Sequence, residues 1–122
     1  MKVKVGGTNL EHDVRRLLQI GIAAPSCSLI LDANGGYSAE QAVALIDQLR
    51  ELKSRVVLFE QPTPKDDFDG LREVAAKTGI AVAADESAGD TAAVARLIRE
   101  GAASVINLKT MKSGVLQAAR MA

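Results

Sequence analysis

Val56-Val57-Leu58-Phe59-Glu60 is the stretch that decides the fold, because an unbroken apolar run ends here directly on a carboxylate. Four consecutive apolar residues are typical of a parallel strand that is covered on both faces, since a half-exposed strand would alternate apolar and polar side chains. Glu60 does not belong in such a core. It therefore indicates the carboxyl end of the strand, where the chain leaves the sheet.

Four further β-prone runs lie on either side of this one, at residues 2–5, 28–31, 80–83 and 104–108. Helical patterns fill the intervals, at residues 10–20, 38–53, 67–78 and 90–100, and a further helix is expected to begin near Ser113. Strand alternating with helix in this way predicts an α/β fold with a parallel sheet. Because no linker or composition break interrupts the pattern, residues 1–122 are expected to form a single domain.

The expected helix boundaries carry their own signals. Ser38 followed by Gln41 is a capping-box pair, in which each side chain bonds the backbone of the other residue at a helix start. Gly79 and Gly101 directly follow the apolar spacing of two other helices. Glycine commonly ends helices because it adopts the left-handed conformation without a steric cost. These signals favour helices, rather than long loops, between the strands.

The composition narrows the possible functions. The chain has 15 Lys and Arg and 15 Asp and Glu, so its formal net charge is zero and gives no electrostatic reason to expect nucleic acid or an anionic membrane as partner. No apolar stretch approaches the roughly 18 residues of a membrane-spanning helix. Cys27 is the single cysteine and cannot form an internal disulfide, so a reducing, cytoplasmic location is expected.

A charged residue stands where the core run of each predicted strand ends. Successive members are 24 to 28 residues apart, one strand–helix unit each: Lys4, Asp32, Glu60, Asp85 and Lys109. Parallel strands bring such residues to the same edge of a sheet, and this carboxyl edge is where ligands bind in α/β folds. The five side chains are therefore expected to converge.

Three converging carboxylates would repel one another unless a cation lay between them. Oxygen ligands without a partnering His or Cys favour Mg²⁺ over zinc, and a lysine on either side could act as a general acid or base. The residues alone leave an ordinary alternative open, because an acid after a strand is most often a helix cap or a solvated loop residue. Asp32, for example, precedes the turn sequence Ala33-Asn34-Gly35-Gly36.

Five local motifs add a more specific signal. In chain order they are Lys2-Val-Lys4-Val-Gly6, Leu31-Asp32-Ala-Asn34-Gly-Gly-Tyr37, Phe59-Glu60-Gln61-Pro62, Ala84-Asp85-Glu86-Ser87 and Asn107-Leu-Lys109-Thr-Met-Lys112-Ser-Gly114. Together they resemble the barrel domain of the enolase superfamily, in its muconate-lactonizing subgroup, over essentially the whole chain. The resemblance implies part of a modified TIM-type (β/α) barrel, from its second strand to just after its sixth. The capping domain and the remaining barrel strands have no counterpart in these residues.

The resemblance also implies a role for each charged residue at the strand ends. It makes Asp32, Glu60 and Asp85 the ligands of Mg²⁺. Lys4 would be the acid/base on one face of the substrate α-carbon, and Lys109 its counterpart on the other face.

Three more residues receive supporting roles from the same motifs. Lys2, two residues before Lys4, would lower the pKa of that lysine by like-charge repulsion. Asn34 and Glu86 would support the metal ligands beside them in sequence.

Two opposed lysines imply an epimerase or racemase, which removes the α-proton of a carboxylate substrate to give an enolate and returns a proton to the opposite face. The sequence motif around Lys109 is most similar to that of dipeptide epimerases of the L-Ala-D/L-Glu type, so a dipeptide is the expected substrate. Muconate cycloisomerases, o-succinylbenzoate synthases and N-acylamino-acid racemases share the same lysines and metal ligands and remain alternatives.

The length of the chain keeps a rival fold and a rival function open. A complete (β/α)₈ barrel needs about 250 residues, whereas this chain has 122. An open, doubly wound parallel sheet is the rival fold, because five strands in a chain of this length also fit that architecture. The rival function is that of a non-catalytic barrel fragment, a structural module that self-associates through its exposed sheet edges.

Overall fold

The computed structural model describes residues 1–7, 9–109 and 119. Its strands are β1 (Lys2–Lys4), β2 (Leu29–Asp32), β3 (Val56–Glu60), β4 (Val82–Ala84) and β5 (Val105–Ile106). Its α-helices are α1 (Leu10–Ala23), α2 (Ala39–Gln48), α3 (Phe68–Thr78) and α4 (Thr91–Glu100), and a short 3₁₀ helix spans Lys53–Arg55. The predicted alternation of strand and helix is therefore confirmed. The helix expected near Ser113 lies outside the described residues.

The five strands form one parallel sheet in the order β1-β2-β3-β4-β5. A doubly wound sheet requires a reversal in strand order, with a later strand placed on the other side of the first. Among the described strands there is no such reversal, so the rival fold is wrong. Sequential order is the order of a singly wound barrel, and within the described residues the sheet is open and the barrel is not closed.

The two faces of the sheet differ in how they are covered. One face carries the register row Val3, Leu31, Phe59 and Val82, all of them buried in the core together with helix residues such as Leu45 and Leu71. The other face carries Ile30 and Leu58, which are half-buried, and Val105, which is 39% exposed. The prediction that both faces are covered is therefore wrong for the described residues. The strands are apolar on both faces, but the helices described here cover only one.

The helix signals are confirmed at three positions, whereas two helices differ in length from the prediction, since α1 continues past residue 20 to Ala23 and α2 is shorter. Ser38 and Gln41 form the predicted capping box of α2, and Gly79 and Gly101 end α3 and α4 in the left-handed conformation. α2 stops at Gln48 rather than continuing to residue 53. The apolar spacing continued past this end because Leu49 and Leu52 remain buried in the turn that follows.

No helix in the described part of the chain is long and apolar enough to cross a membrane.

Candidate metal centre

Three carboxylates lie side by side at the carboxyl ends of the strands. Asp32 ends β2 and stands in register with Glu60 at the end of β3, while Asp85 directly follows β4. Asp32, Glu60 and Asp85 are 2%, 5% and 3% exposed to solvent, respectively. Carboxylates are rarely buried to this extent without positive charge nearby. The structure thus brings the predicted metal ligands to one edge of the sheet, and we refer to these three residues as the carboxylate row.

Two lysines of β1 supply positive charge at one end of the row. Lys2 places its Nζ atom 3.0 Å from Asp32 Oδ2 and 2.8 Å from Glu60 Oε2. Lys4 places its Nζ 2.9 Å from the same Oδ2 atom of Asp32. Both lysine side chains remain about half exposed or more, at 46% and 66%. Buried anions are thus neutralised by cations that can move out into solvent.

The other end of the row is closed by residues that follow β5. Lys109 forms an ion pair with Asp85, and Asn107 donates from Nδ2 to Glu60 Oε1 over 2.9 Å. Along the sheet, β1 with its two lysines lies beside the strand of Asp32, and Lys109 lies after β5, beyond the strand that leads to Asp85. All six residues predicted for the site therefore lie on the same edge, with the carboxylates between Lys4 and Lys109.

The ion pairs shift pKa values in the direction that keeps both partners charged. Burial alone would raise the pKa of Asp32, but the hydrogen bonds from Lys4 and Lys2 outweigh it and lower this pKa below its usual range. The hydrogen bond to Glu60 is the main cause that raises the pKa of Lys2. In the same way Asp85 raises the pKa of Lys109. The proposed effect of Lys2 on the pKa of Lys4 stays a prediction.

The side chains at this edge suit a hard divalent cation in their chemistry. Every charged ligand that the row offers is a carboxylate oxygen, which favours Mg²⁺. The Lys2 ammonium already lies between Asp32 and Glu60 and so occupies a cation position between two carboxylates. Within the described residues no group of three or more His, Cys, Asp or Glu side chains is closed tightly enough to hold a metal by itself. A metal would therefore have to displace lysine ammonium groups from these oxygens.

Asn34 and Glu86 connect the two ends of the row. Lys4 donates to Asn34 Oδ1, and Asn34 Nδ2 donates to Glu86 Oε1 over 3.1 Å. The other carboxylate oxygen of Glu86 is buried and has no hydrogen-bond partner among the described residues. The supporting roles expected for these two residues therefore have a geometric basis, since they link the lysine of β1 to the loop that carries Asp85.

A fourth buried carboxylate, Asp13 in α1, was not singled out from the sequence. Its Oδ2 accepts hydrogen bonds from the backbone N–H groups of Gly6 and Gly7, at 3.0 and 3.3 Å, and from the Tyr37 hydroxyl at 2.5 Å. Its Oδ1 accepts from Arg16 at 2.8 Å. We call these five residues the Asp13 cluster. It holds the loop after β1, and Arg16 also donates to the carbonyl of Lys4.

The loop after β1 also packs backbone against backbone. A Cβ atom at Gly36 would lie 2.3 Å from the carbonyl oxygen of Gly6, and one at Gly6 would lie 2.5 Å from that of Ala33. Only glycine fits such an approach. The glycines that look like ordinary turn residues in the sequence thus bring the β1 and β2 ends together beside Lys4 and Asp32.

Gln61 is the second residue that sequence reasoning missed. It follows Glu60 directly, is completely buried, and has a positive φ of 39°. The available signal was an amide placed between a strand-end carboxylate and Pro62. Composition and spacing alone do not show what that amide contacts.

A parallel sheet in sequential order, with acids and lysines at the carboxyl ends of its strands, is the architecture of part of a (β/α) barrel whose chemistry lies at that edge. The chain belongs to the enolase C-terminal domain-like family, whose model matches residues 1–122. The family resemblance predicted from the five motifs is therefore confirmed.

Curated relatives are similar to nearly all of this chain. It is 46% identical over 121 residues to an aromatic dipeptide epimerase of Herpetosiphon aurantiacus, a match that covers 99% of this chain and 34% of the relative. It is 36% identical over 118 residues to an L-Ala-D/L-Glu epimerase of Thermotoga maritima, covering 97% of this chain and 34% of that protein. The chain thus spans about a third of the length of these relatives.

Solved structures confirm the fold. A mandelate racemase/muconate lactonizing protein from Herpetosiphon aurantiacus superimposes with a TM-score of 0.92 at 47% identity, over 98% of this chain and 34% of that one. A dipeptide epimerase from Enterococcus faecalis V583, complexed with Mg and the dipeptide L-Leu-L-Tyr, superimposes with a TM-score of 0.91 at 34% identity over the same shares. The predicted part-barrel is therefore the fold of this chain.

Proposed function

We propose that this chain carries the metal ligands and the acid/base lysines of a Mg²⁺-dependent epimerase that inverts the α-carbon of a dipeptide. The observation that carries the proposal is the order of charges along the sheet edge, in which the carboxylate row lies between Lys4 and Lys109. The similarity to dipeptide epimerases supports the substrate class. We further propose that residues 1–122 act as one domain, the central part of the family barrel.

Asp32, Glu60 and Asp85 would hold the metal, because they are the buried carboxylates at this edge. Bound Mg²⁺ would stabilise the negative charge that develops on the substrate carboxylate when its α-proton leaves. This charge is what makes the α-proton difficult to remove in water, so its stabilisation accounts for much of the expected rate enhancement.

The lysines would move the proton. One of Lys4 and Lys109 removes the α-proton as its neutral amine, and the other, as its ammonium ion, donates a proton to the opposite face. The substrate leaves with inverted configuration, and the protonation states of the two lysines are exchanged. Lys2 would favour the neutral form of Lys4 by like-charge repulsion once its own contacts with Asp32 and Glu60 are given up to the metal.

Exchange of the dipeptide α-proton in D₂O tests this proposal directly. The chain is incubated with Mg²⁺ and either L-Ala-L-Glu or L-Leu-L-Tyr, and loss of the α-proton signal is followed by NMR. We expect exchange with inversion in the parent chain, no inversion in Lys4→Ala or Lys109→Ala, and loss of exchange in the variant that lacks the lysine facing the α-proton of the L-substrate. Lys77→Ala, which changes an exposed lysine of α3 paired only with Glu73 among the described contacts, is the matched control and should keep the parent rate.

Two results would overturn the proposal. Exchange that is unchanged in both site variants would reject the lysine assignment. A folded parent chain without Mg²⁺-dependent exchange would favour the non-catalytic module.

Self-association through the edge strands β1 and β5 is a separate part of the proposal, since sheet edges readily pair with one another. Sedimentation of the parent chain tests it, and a monomer at all concentrations would reject it.

A further inference from the structure

We propose that Gln61 is a positioning residue, whose buried side-chain amide fixes the backbone of the Asp85–Ser87 turn and so aims the Asp85 carboxylate at the edge where Asp32 and Glu60 stand. This inference rests on the proposed metal site and names a residue on which that site depends. Gln61 contacts neither of the proposed acid/base lysines among its described hydrogen bonds, so it acts through Asp85 rather than on the substrate.

The side chain of Gln61 makes four hydrogen bonds, which use its acceptor twice and both of its donor hydrogens. Its Oε1 accepts from the backbone N–H of Asp85 at 2.9 Å and from that of Ser87 at 3.0 Å. Its Nε2 donates to the Ser87 hydroxyl at 2.7 Å and to the carbonyl of Thr63 at 2.9 Å. The amide is therefore held at both ends, and the Asp85–Ser87 turn is attached to it by three of the four bonds.

The backbone of Gln61 ties the same residue to two more neighbours. Its N–H donates to the carbonyl of Ala83 in β4 at 2.8 Å, and its own carbonyl accepts from Gly35 at 2.8 Å. The ends of β2, β3 and β4 thus meet at one side chain and one peptide unit. Because each of these strand ends carries one member of the carboxylate row, Gln61 is placed to fix their relative positions.

Its conformation supports the same conclusion. A φ of 39° is uncommon for a residue with a side chain and persists only where the surroundings over-determine it. Here the full burial and the six hydrogen bonds around Gln61 supply that constraint. A residue needed only to fill space would not require both donors and both acceptor positions of its amide.

The test compares Gln61→Met with Thr63→Val. Methionine keeps the length of the side chain but offers no donor and no comparable acceptor, so the Asp85 and Ser87 amides lose their partner. Thr63 is equally buried in the neighbouring loop, and its hydroxyl donates to the carbonyl of Asp67 rather than to a site residue. Thr63→Val therefore controls for the general effect of losing a buried hydrogen bond.

Two measurements are made on each chain. Amide hydrogen exchange at Asp85 and Ser87, followed by NMR, reports the turn itself and needs no metal. We expect it to be at least about tenfold faster in Gln61→Met than in Thr63→Val. Calorimetric titration with Mg²⁺ reports the site, and we expect affinity to fall about 10- to 100-fold in Gln61→Met, the usual effect of removing a group that orients a metal ligand, and to stay at the parent value in Thr63→Val.

The outcomes separate this inference from the proposed function. Parent-like amide protection in Gln61→Met would overturn the positioning role whether or not the chain binds Mg²⁺. Parent-like Mg²⁺ affinity in that variant would also overturn it. A parent chain that binds no Mg²⁺ while the exchange difference is present would instead overturn the proposed metal site. If Gln61→Met fails to fold, Ser87→Ala removes one partner of the amide, and equal exchange at Asp85 in that variant and the parent would reject the inference.

Discussion

The Asp13 cluster holds one buried acid and the carboxylate row holds three, and these acids are neutralised in opposite ways. Asp13 is held by backbone N–H groups, a tyrosine hydroxyl and one arginine, most of which have no freedom to leave. Asp32 and Glu60 are held chiefly by the side chains of Lys2 and Lys4, which remain about half exposed or more. The first arrangement is closed and stabilises the fold, whereas the second can exchange its cations and is suited to ligand binding.

The largest expected difference between the two groups is in stability. Asp13→Ala removes the partner of Arg16 and leaves two part-buried N–H groups and the buried Tyr37 hydroxyl without an acceptor, so it should lower the free energy of unfolding by about 3–5 kcal/mol. Asp32→Ala should cost less than about 1 kcal/mol, because Lys2 and Lys4 can turn into solvent. Urea unfolding of both variants measures this. Equal losses in the two would remove the distinction.

A second prediction uses Tyr37, which is buried and donates to Asp13. Removal of the hydroxyl group in Tyr37→Phe should lower the free energy of unfolding by about 1–2 kcal/mol near neutral pH. Burial first, and the hydrogen bond to Asp13 second, raise the pKa of Tyr37 above the usual tyrosine value of about 10. The unfolded state therefore ionises at lower pH than the folded state, and stability is lost as the pH rises above about 10.

Urea unfolding between pH 9 and 11 tests the direction of this effect. The parent should lose up to about 1.4 kcal/mol more per pH unit above pH 10 than Tyr37→Phe, the value for one proton released. Parallel curves for the two chains would show that the tyrosine is not held in its neutral form by the cluster.

The smallest expected effect concerns Lys2 at the carboxylate row. Because its ammonium group and a metal would compete for Asp32 and Glu60, Lys2→Met should raise Mg²⁺ affinity by about three- to tenfold. Calorimetric titration measures this, with Lys77→Met as the control that removes an exposed lysine elsewhere. A lower affinity in Lys2→Met would mean that this lysine supports the metal site rather than competing for it.

The carboxylate row could be predicted from the sequence because the end of an apolar run marks the end of a strand. An apolar run that stops on Asp32 or Glu60 places that acid at a sheet edge whatever the rest of the fold does, and the family motifs then fixed the strand order. The partners of the lysines were less predictable. The effect of Lys2 on Lys4 stays a prediction, and the contacts of Lys2 with Asp32 and Glu60 were not foreseen, because the reach of a long side chain depends on strand register rather than on spacing.

The Asp13 cluster could not be predicted for a related reason. An acid in the first turn of a helix is expected on helix-dipole grounds and is usually solvated. Only the approach of Gly6 and Tyr37 from other parts of the chain makes Asp13 a buried acceptor. The end of α2 was missed because Leu49 and Leu52 stay buried beyond it, so a periodicity of apolar residues showed burial but not helix.

Thermal unfolding with and without millimolar Mg²⁺ tests the central claim most directly. The parent chain is compared with the triple variant Asp32→Ala, Glu60→Ala, Asp85→Ala and with a control that removes the same charge from exposed positions, Asp47→Ala, Asp66→Ala, Asp69→Ala. A ligand that binds only the folded state stabilises it by about 2.7 kcal/mol at a concentration 100 times its Kd. We predict that Mg²⁺ raises the unfolding midpoint of the parent and the control by several degrees and leaves that of the row variant unchanged. Equal midpoints with and without Mg²⁺ in the folded parent, or an equal rise in all three chains, would contradict the assignment of the carboxylate row as a metal site.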